Sequence, residues 1–148
     1  MEADAYKIMH NLDSPDSSLS GFKILLAEDN LVNQKVAKRV LTHLGYEVDI
    51  VSNGKEAIKA IADKSYDLIL MDIQMPEMDG LETTKYIRKQ ESELQLPPIA
   101  IVAMTANVTD DDQNVCRDAG MSDYISKPIQ IEKLKGILQR YAALKTQK

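Results

Sequence analysis

Short apolar runs alternate with amphipathic helical stretches along this chain. Lys23–Ala27, Glu47–Val51, Asp67–Met71, Ile99–Met104 and Asp123–Ile125 have the length and apolar density of strands. After the first of them, Val32, Val36, Val40 and Leu44, joined by Leu41, recur at helical spacing and predict a buried stripe. Gly45 then stands where a left-handed residue commonly ends a helix. Asn53 with Glu56, and Asp79 with Glu82, have the spacing of capping boxes and open a second and a third helix. Ala57, Ile58 and Ile61 form the second helix's core face. Thr109 caps a fourth, whose Asp110–Asp112 run suits a positive helix N-terminus. A last helix over Ile129–Tyr141 turns Ile131, Leu134, Ile137 and Leu138 inward, and Ala142–Lys148 is expected to fray.

The first and third runs are nearly continuous in apolar character, the pattern of parallel strands covered on both faces by helices. Strictly alternating elements therefore predict an α/β fold. It is a doubly wound sheet with right-handed crossovers and a ligand crevice beyond the C-terminal ends of the strands. Residues 11–21 are rich in turn formers, so 1–21 is expected to be a flexible lead, 22–143 the folded domain and 144–148 a frayed tail.

Composition narrows the function. A length of 148 residues suits one domain with one core. A formal charge of -5 argues against direct nucleic-acid binding, because phosphate backbones attract basic surfaces. The single cysteine, Cys116, excludes an internal disulfide. No apolar run approaches the roughly 18 residues of a membrane span, and the first residues lack a secretory pattern. The expected compartment is the cytoplasm, with no membrane contact by this domain and a membrane anchor left open for a parent chain. The glycosylation-like tripeptide Asn107-Val108-Thr109 carries no weight without a secretory signal. His10 and His43 stand in no metal or phosphotransfer pattern.

Chemistry gathers at the strand ends. Glu28 and Asp29 follow the first strand, Asp72 the third, Thr105 the fourth and Lys127 the fifth, and parallel strands bring those ends to one edge. Two unpaired carboxylates about 4 Å apart repel by roughly 4 kcal/mol at an effective dielectric near 20, so the crevice needs a cation or a proton. A site made of oxygens alone favours magnesium. Taken singly, a helix cap for Asp29 and a surface ion pair for Lys127 are the simpler readings.

From about Lys23 to Tyr141 the chain resembles the response-regulator receiver family. The resemblance rests on Leu-Leu-Ala-Glu28-Asp29-Asn30, on Leu-Ile-Leu-Met-Asp72-Ile-Gln-Met-Pro76-Glu-Met-Asp79-Gly80, on Ala-Met-Thr105-Ala106-Asn, and on Tyr124-Ile-Ser-Lys127-Pro128. It implies a flavodoxin-like (βα)5 fold with sheet order 2-1-3-4-5. Asp72 would be the phosphoryl acceptor. Asp29 would bind magnesium directly, Glu28 through water, and Gln74 through its carbonyl, with manganese as the alternative ion. Lys127 and the Thr105 hydroxyl would read the attached phosphoryl group, Tyr124 would be the aromatic switch, and Lys127-Pro128 would be a cis peptide. Two departures stand out: Glu28 replaces an aspartate common at its place, and Gln74 occupies the position that influences phosphoryl lifetime in the family. Its long amide is expected to obstruct attacking water and slow dephosphorylation.

The expected partners are a histidine kinase dimerisation/phosphotransfer domain or a histidine phosphotransfer protein, docking over the first helix near Asn30–Val36. The expected state is a monomer or a weak, phosphorylation-dependent dimer. Glu-Asp-Asn-Leu-Val-Asn-Gln-Lys-Val-Ala is most similar to receivers of hybrid sensor histidine kinases. The domain by itself would catalyse only its own phosphorylation and dephosphorylation. A stand-alone regulator and a non-phosphorylated protein-binding receiver are the alternatives, the second disfavoured because Asp29, Asp72 and Lys127 are all present. A nucleotide or flavin enzyme would want glycines where Glu28-Asp29-Asn30 stands.

Overall fold

The computed structural model describes residues 21–106 and 109–146. The lead before Gly21, His10 and the first two residues of the glycosylation-like tripeptide lie outside the described residues. The elements run β1 (Lys23–Ala27), α1 (Leu31–His43), β2 (Glu47–Val51), α2 (Gly54–Asp63), β3 (Leu68–Asp72), α3 (Gly80–Leu94), β4 (Ala100–Thr105), α4 (Asp110–Ala119), β5 (Asp123–Ser126) and α5 (Ile131–Thr146). All pairings are parallel, in the order β2-β1-β3-β4-β5.

Alternate residues of each central strand point to opposite faces, and each face has its own helices. Ile24, Leu26, Leu68, Leu70, Val102 and Met104 pack with Ala37 and Leu41 of α1 and with Leu134, Leu138 and Ala142 of α5. Leu25, Ala27, Ile69, Met71, Ile101 and Ala103 pack on the other side with Ala57, Ile87 and Cys116 of α2, α3 and α4. Every residue of β3 is buried, which explains its unbroken apolar sequence.

Several helix details depart from the sequence pattern. Val32 and Val36 are exposed, whereas Ala37 and Leu41 are buried and Val40 and Leu44 pack against the core. Each four-residue step turns a helix about 40° past a full revolution, so a stripe running back from Leu44 has rotated about 120° by Val32. Ile131 is exposed too, in the first turn of α5, although it shares a face with Leu134 and Leu138. Asn53 accepts from the Glu56 amide, but the Glu56 carboxylate takes the Ser52 amide, so only Asp79 and Glu82 form a reciprocal box.

Among the described residues the expected fraying from Ala142 is not seen, as α5 continues to Thr146; residues 147 and 148 of that tail lie outside them. Ala142 is buried, and the Lys145 ammonium donates to the Gly21 carbonyl and pairs with Asp67, interactions invisible to local pattern. Strand ends shift as well. β3 and β4 begin and end one residue later than expected and β5 reaches Ser126, so Asp72 and Thr105 close their strands instead of following them.

At the β2 edge, the Tyr66 hydroxyl donates to Asp49 at 2.6 Å. Burial, and then this bond, push the Tyr66 phenol up to about 12, while the bond holds the Asp49 carboxyl below its ordinary value. Tyr66→Phe is expected to cost about 1 kcal/mol at neutral pH. Because the folded phenol titrates above its unfolded value near 10, its contribution is complete below pH 10 and disappears as pH rises toward about 12. Urea midpoints of the two proteins should therefore differ at pH 7 and converge at the alkaline end.

Candidate functional site

The end of β1 delivers Glu28 and Asp29 to the C-terminal edge of the sheet. The Glu28 amide bonds to the Val51 carbonyl at 3.0 Å, which continues the β1–β2 ladder one residue beyond the strand. Asn30 then caps α1 by accepting from the Asn33 amide. Glu28 is only 2% exposed. Its carboxylate accepts from the Asn30 amide at 3.1 Å and the Asn33 side chain at 3.5 Å.

Asp72 closes β3 and is 4% exposed. One carboxylate oxygen accepts from the Gln74 amide at 3.1 Å, the other from the Lys127 ammonium at 3.1 Å. That ammonium also lies 3.2 Å from Glu28. Lys127 reaches inward from the loop after β5; its amide donates to the Thr105 carbonyl and its peptide bond to Pro128 is cis.

Glu28, Asp29 and Asp72 each offer an oxygen, and these atoms all lie within 4.8 Å of one another. Burial first, and then the Glu28 charge, push Asp72 up to about 6 against the opposing pull of Lys127. Burial works to lower the Lys127 ammonium, but the bond and charge of Asp72, with Glu28, raise it overall. One ammonium shared by two buried carboxylates leaves the cluster short of positive charge. An oxygen-only donor set with that shortage suits a hard divalent cation.

Beside Asp72 lies a cavity of about 120 Å3, lined by Gln74, Met104, Thr105, Ala106, Asp112 and Lys127 among others. The 73–79 loop forms its rim, with Met75 buried and Glu77 at φ 69. Gly80 starts α3 against this loop and donates to the Ile73 carbonyl at 2.9 Å. Tyr124 is set apart: 37% exposed, it faces a hollow of about 610 Å3 between β5 and α5, with Gln113, Glu132 and Arg140. The structure thus gathers Glu28, Asp29, Asp72, Thr105 and Lys127 at one edge, with Gln74 at the rim and Tyr124 outside.

Sequence reasoning missed the polar support of Glu28. Asn33 reaches its carboxylate, and the Gln34 amide donates to its carbonyl at 2.6 Å and to Ser52 at 3.2 Å. The only signal was two amide residues in the first turn of α1, just after the acidic pair.

Fold and site together define an α/β domain whose chemistry sits on an acidic edge of a parallel sheet. Residues 24–139 match the response regulator receiver domain, and the chain belongs to that family. It is 44% identical over 122 residues, 80% of its length, to hybrid signal transduction histidine kinase L of Dictyostelium discoideum. The receiver domain of a sensor histidine kinase from Pseudomonas aeruginosa, with magnesium coordinated in its active-site cleft, is 42% identical with a TM-score of 0.74. That match covers 83% of this chain and 98% of the other. A co-crystal structure of the Saccharomyces cerevisiae phosphotransfer protein Ypd1 with the receiver domain of its downstream response regulator Ssk1 matches at 27% identity and TM-score 0.82, covering 86% and 92%. The chain spans 17%, 7% and 10% of the length of three curated histidine kinases it matches. Among the described residues, no helix is long and apolar enough to cross a membrane.

Proposed function

We propose that this chain takes a phosphoryl group from a phosphohistidine onto Asp72, in the cytoplasm, as the receiver of a hybrid histidine kinase. The observation that carries this is the Lys127 ammonium, 3.1 Å from Asp72 and 3.2 Å from Glu28, beside carboxylate oxygens within 4.8 Å of one another. An Asp72 oxygen attacks phosphorus, an O–P bond forms, and the P–N bond breaks with its electrons returning to the imidazole. Lys127 places positive charge where a phosphoryl oxygen comes to rest, and the Thr105 hydroxyl supplies a donor at the cavity wall.

Glu28, Asp29, Asp72 and the Gln74 carbonyl would hold magnesium, with manganese the other ion such oxygens accept. When bound, the ion neutralises charge on the transferred group. The magnesium in the Pseudomonas receiver's cleft supports this assignment. Gln74, exposed at the rim, narrows the approach of water to the acylphosphate and lengthens its life. Phosphorylation then shifts an existing equilibrium that Thr105 and Tyr124 report at the β5 and α5 surface, in a monomer or weak phosphorylation-dependent dimer.

Donor docking falls on α1. Leu31, Val32 and Val36 lie uncovered there beside the acidic edge, and the yeast complex of Ypd1 with the Ssk1 receiver supports a phosphotransfer protein as partner. A buried apolar contact at an interface is commonly worth about 1–2 kcal/mol, so Val36→Glu is expected to slow transfer from a phosphorylated phosphotransfer domain by about tenfold or more. Labelling by a small acyl phosphate, which needs no docking surface, should stay unchanged. Transfer from the phosphotransfer domain at the wild-type rate would place docking elsewhere.

A further inference from the structure

We infer that Gln34 is a positioning residue for the metal-holding turn, a role that rests on the phosphoacceptor reading above. Its side-chain nitrogen has two acceptors on two different connections: the Glu28 carbonyl at 2.6 Å and the Ser52 hydroxyl at 3.2 Å. The Glu28 carbonyl belongs to the same rigid peptide plane as the Asp29 amide. Holding that oxygen therefore fixes the plane from which Asp29 departs.

The other side of Glu28 is already fixed, because its amide is bonded to the Val51 carbonyl. Ser52 is anchored in turn, since its amide donates to the Glu56 carboxylate at 2.7 Å. Gln34 thus ties the turn after β1 to the turn after β2 from a helix that leans on both. The Glu28 carboxylate is held independently by Asn30, Asn33 and Lys127, so the clamp acts on the backbone and on the direction of exposed Asp29.

Groups behind metal ligands commonly set affinity by about 10–100-fold. The test is a magnesium titration of the whole chain, read by backbone amide shifts and by calorimetry, for wild type, Gln34→Met and Ser52→Ala. Methionine keeps the length and removes the donor. Gln34→Met is expected to weaken magnesium binding about tenfold, and Ser52→Ala, which leaves one prong, by about threefold. Labelling by an acyl phosphate should fall at limiting magnesium and return to within about twofold of wild type at saturation, the split expected when a ligand is displaced and no reacting group is lost.

Unchanged magnesium affinity in Gln34→Met overturns the clamp, and so does a labelling defect that saturating magnesium does not repair. Should Gln34→Met fail to fold by circular dichroism, an unshifted Ser52→Ala titration overturns it instead. Wild type that binds magnesium but shows no shift in either variant counts against the clamp alone. Wild type that neither binds nor labels brings down the phosphoacceptor reading and the clamp with it.

Discussion

Asp72→Asn is expected to abolish covalent labelling by an acyl phosphate and, in the same protein, to raise stability in metal-free buffer. The first effect follows from removing the nucleophile: an amide oxygen does not form the acylphosphate, and loss of a reacting group costs roughly 10^3-fold or more. Mass spectrometry after incubation with donor and magnesium reads it. Retained labelling would mean that another carboxylate accepts.

The second effect follows from the environment of Asp72. Its folded value near 6 lies above the ordinary 3.8, so the fold prefers the neutral acid. The associated stability is complete below pH 3.8 and is lost as pH rises through about 6. Above that, the ionised group costs up to about 3 kcal/mol, since each tenfold change in proton affinity is worth roughly 1.4 kcal/mol. Asparagine escapes this cost, which already contains the opposing pull of Lys127, so a net gain is expected, at most about 3 kcal/mol. A rise of a few degrees in Tm at pH 7.5 is expected, shrinking as pH falls toward 4. Magnesium should stabilise wild type more than the variant. An Asp72→Asn protein less stable than wild type at pH 7.5 would show that the Lys127 pairing outweighs burial.

Gly80→Ala is the second large effect, and it acts through backbone. A Cβ at this buried position would stand 2.4 Å from the Asp72 carbonyl oxygen and 2.9 Å from the Ile73 Cα. Neither atom belongs to a flexible side chain, so relief requires α3 to withdraw or the end of β3 to move. Overpacking of a core commonly costs about 1–3 kcal/mol, and contact with rigid backbone places this case at the upper end, about 3 kcal/mol. Denaturant unfolding should show a lower midpoint. Whatever copy folds should also bind magnesium more weakly, because the displaced peptide carries Asp72. A midpoint within error of wild type would mean that α3 can shift at little cost.

The sheet was legible because β1 and β3 are buried on both faces and their composition says so without help from distant residues. The acidic edge was legible for a related reason: once strands are parallel, Glu28, Asp29, Asp72, Thr105 and Lys127 have one place to go. The α1 stripe misled because valines spaced by four look continuous in sequence while drifting around the helix, which leaves Val32 and Val36 outside. Gln34, Ser52 and Lys145 were illegible for another reason. Their partners lie 6, 18 and 124 residues away and are reached by side-chain hydrogen bonds that leave no periodic trace. Glu77 shows a further limit. The left-handed turn beside the acceptor falls on this glutamate, a residue type that gives no local sign of positive φ.

The contact of Lys145 with Gly21 and Asp67 has a mechanical consequence. The first described residue and the last helix meet at the corner where β1 and β3 start, at the far end of both strands from Asp72. A tether pulling on either side would load that shared corner first, sparing the opposite rim. Force entering there would be separated from the reactive rim by the length of two buried strands.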